Sequence, residues 1–422
     1  MRYFSAARPL RPLAGLIALA IAATAAPTLA QRYESDAIES RLSNKGVIAR
    51  RYAKTGQGDG AEFKEYIEKY FFPAMTQTTP EGLADLEKMQ GDLFKSFLTG
   101  VPAATQRYMH EQALDFSTRV VANRKYHPSV RYNALLMLGR LNDKYPAGGE
   151  DPTPAAKGTD LLCSLTSASI SSPRTPNYLL VGALLGLERH ANYYQQLPRP
   201  QQAKLMRTLY DVLTVEKLEG EFTPEVREWI FTRTASAIAS MKTPGPQGVF
   251  VKGLAKRVGD DTLSLEARAT ILRELAEMEA EAGQDYGAAI AKAAIELASD
   301  IGEEEAEIAE KFDDMQLQAG VGFVGARGKM SRRVTVTPEN GPQLYREGIL
   351  ALFNDLQKGV AAAADISPED QKPALTAINE AIKNVVNKTA DKGTIDLDVT
   401  EAIKQMASTA QEATVQPLAN AE

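Results

Sequence analysis

Four helical segments recur at nearly equal intervals through the middle of this 422-residue chain, and that spacing constrains its fold more than any single motif. The segments are "HPSVRYNALLMLGRLN" from His127, "TPNYLLVGALLGLERH" from Thr175, "TPEVREWIFTRTASAI" from Thr223 and "SLEARATILRELAEM" from Ser264. Setting Arg131, Leu179, Arg227 and Arg268 in register gives intervals of 48, 48 and 41 residues. Pro128, Pro176 and Pro224 then coincide at the helix start, where a missing N–H costs nothing and a fixed φ sets the entry direction. A period near 40–47 residues marks stacked helix pairs, each of which buries its apolar stripe only against its neighbours.

The pattern Pro-x-Val-Arg followed by Ala, Leu and Leu resembles the second helix of a HEAT repeat. Pro128, Val130, Arg131, Ala134, Leu138 and Leu141 carry it most closely. Pro224, Val226, Arg227 and Ile230 follow it, and Arg268, Ile271, Leu275 and Met278 follow it without the proline. In the Thr175 unit Leu179 replaces the arginine, and Gly182 and Gly186 loosen the pattern. The resemblance is clear over about residues 105 to 280 and is similar to that of exported HEAT-like bacterial proteins. It implies an all-α fold, a HEAT/armadillo-like α-solenoid of stacked helix pairs with atypical helical caps. Arg131, Arg227 and Arg268 are expected to lie along the seams between units and to donate to carbonyls or an acid of a neighbour.

The expected division has five parts: a signal peptide at 1–30, an N-terminal helical cap at 31–104, repeats at 105–301, an acidic helix with a glycine-rich loop at 302–340, and a C-terminal helical extension at 341–422. The leader is read from Arg2, Arg8 and Arg11, the apolar run Leu13–Ala26, Pro27, and small residues before a cut at Gln31. That run is short for the hydrocarbon core of a bilayer. A periplasmic or extracellular location and no stable membrane insertion after leader removal are therefore expected. With Cys163 as its one cysteine the chain makes no internal disulfide, and Cys163 is expected to pack as a small buried hydrophobe. The net charge of −6, with no basic run interleaved with aromatics, excludes nucleic acid as the expected partner.

"AGVGFVGARGK", from Ala319, contains Gly320, Gly322 and Gly325 in the G-x-G-x-x-G spacing and ends in Gly328 and Lys329. A dinucleotide site needs a buried strand before the first glycine and a helix opening at the third. Here an acidic helical stretch precedes and a basic stretch follows. A phosphate loop needs a glycine where Phe323 stands and a hydroxyl where Met330 stands. No nucleotide and no other cofactor is expected. His110, His127 and His190 lack the spacing of metal ligands, and no hydrolase or metalloprotease motif occurs. Arg189, His190, Tyr193 and Tyr194 form a polar–aromatic cluster of the type found at protein interfaces, and are the candidate binding residues.

The sequence thus points to a non-catalytic scaffold or adaptor that binds a protein partner, with its surface sought on the helices that begin at 127, 175, 223 and 264. The alternatives are a self-assembling envelope component and an enzyme on a helical array. The enzyme would require His127, His190 and carboxylates to converge in a pocket.

Overall fold

The computed structural model describes residues 33–146, 149–282, 285–317, 341–391 and 397–419. The expected leader and the glycine-rich loop of 319–329 lie outside the described residues.

The fold is all-α. An N-terminal group comprises α1 (Gly46–Thr55), α2 (Gly60–Tyr66), α3 (Pro80–Ala84) and α4 (Leu86–Asp92). Asp59 caps α2 by accepting from the N–H groups of Ala61 and Glu62, and Thr79 caps α3 by accepting from Gly82. Beyond Tyr66 the chain continues through a wide turn, Ile67–Phe71. Pro73 supplies no N–H to the carbonyl of Lys69, and that carbonyl instead accepts from Glu39 N–H at 3.1 Å. The segment at 33–39 is tied down nearby. Asp36 accepts from Arg119 at 2.8 Å and from the Tyr126 hydroxyl, and Lys125 pairs with Glu34 at 2.9 Å. The core of this cap is aromatic: Phe71 meets Phe97 at 5.1 Å between ring centroids, and Phe72 meets Phe116 at 4.8 Å.

Ten further helices follow in five consecutive pairs: α5 (Ala103–Ala122) with α6 (Pro128–Arg140), α7 (Ala156–Ser171) with α8 (Asn177–Asn192), α9 (Arg199–Thr214) with α10 (Pro224–Ser240), α11 (Val249–Val258) with α12 (Leu265–Arg273), and α13 (Asp285–Leu317) with α14 (Gly341–Ile366). The members of each pair pack together. In addition α6, α8, α10, α12 and α14 pack in that order, as do α7, α9, α11 and α13. Two last helices, α15 (Lys372–Asp391) and α16 (Leu397–Ala419), pack on α14 and α13 respectively and on each other. One hydrophobic cluster runs from Leu42 to Ala413 through all of these helices except α3, whose Leu83 packs against it. The small β-hairpin of β1 (Asn142–Lys144) and β2 (Thr153–Pro154) between α6 and α7 had no signal in the sequence.

Arginine forks join these helices by a recurring device. The last carbonyls of a helix have no partner within it, and a guanidinium from a neighbouring helix supplies one. Arg131 donates to Val121 O at 3.1 and 2.8 Å, and Arg268 donates to Val258 O. Both reach the carbonyl ten residues earlier, at the end of the preceding helix. Each also ties in the next unit: Arg131 through the Tyr178 hydroxyl at 2.8 Å, and Arg268 through Asp300 at 2.9 Å. Arg227 departs from this pattern and donates forward to Thr262 O at 2.6 Å. Arg257 and Arg346, absent from the repeat pattern, do the same for the ends of α9 and α15.

Two expectations change. The border drawn at 301/302 falls inside α13, a single 33-residue helix. Leu297, Ile301, Glu305 and Ile308 keep helical spacing, so the same face stays buried across the border and the acidic stretch is part of the packed array. Buried Glu305 accepts from the Tyr345 hydroxyl of α14 at 3.2 Å. Likewise α14, expected to open a separate extension, continues the row begun by α6. The glycines of the Thr175 unit, which depart from the sequence pattern, sit at a close helix contact. A Cβ on Gly139 would meet the Gly186 Cα at 2.6 Å, so α6 and α8 cross almost backbone to backbone. Gly186, like Gly139, permits this tight contact because it carries no side chain.

Candidate functional site

A polar cleft of about 310 Å³ opens where the ends of successive units meet. Four stretches far apart in sequence line it. Asp151 comes from the β-hairpin loop. Asn192 ends α8 and leads into Tyr193, Tyr194, Gln195 and Gln196. Ser240, Met241 and Lys242 end α10, and Glu279 follows α12.

Local chemistry fixes each wall. The turn after α8 is held by Gln202, whose side-chain amide donates to Tyr194 O at 3.0 Å, and the Tyr194 hydroxyl points to the Met206 sulfur at 2.9 Å. Arg189 lies over the Tyr193 ring at 5.5 Å, which orients that ring. After α10 the chain reverses at Lys242, whose N–H donates to Ala239 O at 2.8 Å and whose φ of 55° lies in the left-handed region usually left to glycine. Pro244 and Gly245 complete that turn. Both α8 and α10 present their carbonyl ends here, which adds partial negative charge. Asp151, Lys242 and Glu279 are exposed and form no ion pair among the described residues.

Of the four candidate binding residues, Tyr193 and Tyr194 line this cleft. Arg189 and His190 do not, and this corrects their expected role. His190 is fully buried. Its Nε2 lies 3.2 Å from Gly139 O and its Nδ1 lies 2.9 Å from the Thr159 hydroxyl, an arrangement suited to a neutral ring that donates from Nε2. Arg189 donates to Gly139 O at 3.1 Å and to Asn142 Oδ1 at 2.7 Å. Together the two side chains close the end of α6, so neither is free for a partner. The apolar faces of the helices that begin at 127, 175, 223 and 264 are consumed in packing against neighbouring helices.

Burial pushes the His190 imidazole from its ordinary 6.5 down to about 3, with the charge of Arg189 acting in the same direction. The unfolded chain binds a proton below pH 6.5 that the native chain refuses until about pH 3. Stability should therefore fall as pH drops from about 6.5, by roughly 3 kcal/mol at pH 4 from this residue alone. Urea unfolding at a series of pH values checks this. His190→Gln, which keeps a donor and an acceptor but does not titrate, should flatten the slope. His110 and His127 are also lowered by burial and leave a smaller residual slope.

The three histidines do not converge. His127 caps α6 by accepting from Ser129 N–H at 3.1 Å, and His110 on α5 lies 3.6 Å from Asp143. Cys163 is buried, as its apolar context suggests, and burial pushes its thiol up to about 11. Among the described residues no group of three or more His, Cys, Asp or Glu side chains is placed to hold a metal ion, and no helix is long and apolar enough to cross a membrane.

No protein-family model and no curated protein matches this sequence. Among solved structures it is similar to an engineered protein, at 12% identity over 89% of this chain and 90% of that one, with a TM-score of 0.31. A likeness so low supports no argument about fold or function.

The sequence did not single out Asp151, Gln195, Gln196, Lys242 or Glu279. The turns after α8, α10 and α12 come together because those three helices pack side by side in that order.

Proposed function

We propose that this chain is a non-catalytic protein-interaction scaffold of the cell envelope or the extracellular space, exported through a cleaved leader. It is built as a HEAT-like α-solenoid of stacked helix pairs with atypical helical caps. The ordered contacts of α6, α8, α10, α12 and α14, and of α7, α9, α11 and α13, support that architecture. One observation carries the functional reading. Turns from four segments of the chain converge on one cleft whose charged side chains are left uncommitted by the fold. A stacked array holds such turns at fixed spacing, so a partner meets a preorganised surface and pays little ordering entropy. Tyr193 and Tyr194 are the aromatic anchors of that surface.

Placing a photo-cross-linking residue at Tyr193 or Tyr194, and at Arg207 as a control on the exposed side of α9, tests the proposal in envelope and supernatant fractions. A discrete protein adduct should form from the two cleft positions and not from Arg207. The scaffold reading fails if adducts are absent or equal at all three positions while the purified protein retains a tightly held metal or small molecule.

A further inference from the structure

We infer that the cleft accepts an extended peptide segment carrying a lysine or arginine side chain, an assignment that rests on the scaffold reading above. The charge pattern favours it. Asp151 and Glu279 contribute two free carboxylates from opposite units, and the carbonyl ends of α8 and α10 add to them. Lys242 offsets only part of this. Tyr193 and Tyr194 line the cleft, and the amides of Asn192, Gln195 and Gln196 present both donors and acceptors to an extended main chain. A neutral glycan would use the amides and tyrosines but leave both carboxylates without a partner. An acidic segment would meet them head on. The chain's net charge of −6 further raises the encounter rate of a basic partner.

Fluorescence anisotropy on the full chain without its leader tests this with a fluorescein-labelled peptide of alternating glycine and lysine and with its glutamate counterpart. The lysine peptide should bind saturably and the glutamate peptide should not. Asp151→Asn combined with Glu279→Gln should weaken binding about tenfold or more, whereas Lys242→Gly should strengthen it about two- to threefold. The pair Glu87→Gln and Asp261→Asn makes the same change in net charge at exposed positions elsewhere and should leave affinity unchanged. Equal weakening by that control pair, equal binding of the glutamate peptide, or displacement of the lysine peptide by a neutral oligosaccharide overturns the inference. A protein adduct at Tyr193 without lysine-peptide binding refutes the basic segment alone. Lysine-peptide binding without any adduct refutes the scaffold reading alone.

Discussion

Gly139→Val is expected to destabilise the protein by about 3 kcal/mol or more, at the upper end of overpacking effects. The atom a new Cβ would strike is the Cα of Gly186, 2.6 Å away, which is backbone and has no rotamer to yield. Relief requires α6 and α8 to separate. Separation in turn breaks the bonds that Arg189 and His190 make to Gly139 O, at 3.1 and 3.2 Å, and leaves a buried carbonyl unpaired. Two costs therefore arise from one methyl-bearing side chain. Gly139→Ala should lose less, about 1–3 kcal/mol. Gly91 supplies the contrast, because a Cβ there meets nothing within 4 Å. It lies in α4, so Gly91→Ala should stabilise by about 0.4–1 kcal/mol through the unfolded state. Urea midpoints at constant m-value measure all three. A Gly139→Val protein as stable as the parent would show that the two helices do not cross this closely.

Arg257→Met should cost about 3–5 kcal/mol, the range for breaking a buried charged network from one side. The Arg257 side chain is 3% exposed. Its Nε donates to Leu213 O at 2.6 Å, a terminal nitrogen donates to Val215 O, and the other pairs with Asp260 at 2.7 Å. The guanidinium also lies 3.9 Å from the centre of the Phe231 ring. Methionine fills much of the same volume, so the loss reports the stranded carbonyls at the end of α9 and the stranded Asp260 carboxylate rather than a cavity. Arg257→Lys keeps the charge but not the planar fork, and should recover only part of the loss. Thermal unfolding of the two variants separates charge from geometry. Equal stability of Arg257→Met and the parent would remove the helix-end capping role.

What the sequence alone determined is the helical class and the placement of three arginines, Arg131, Arg227 and Arg268, that donate to carbonyls of neighbouring helices or turns. These are local properties. Apolar residues at helical spacing, a proline in the first turn, and caps such as Thr223 and Ser264 act between residues a few positions apart, so they are written where they operate. Arg131 and Arg268 were legible because they recur in register. Arg257, on the first helix of its pair, recurs nowhere and gave no such signal. Tertiary packing decided the rest. Gly186 has the same one-residue signature whether it slackens a helix or lets another backbone touch it, and only its pairing with Gly139, 47 residues away, shows which. His190 and Tyr193 are three residues apart, yet one closes the end of α6 in the core and the other faces the cleft. The cleft itself depends on how far each helix pair is displaced from the last. That displacement is set by side-chain interlocking summed over whole helix faces, and no short stretch of sequence encodes it.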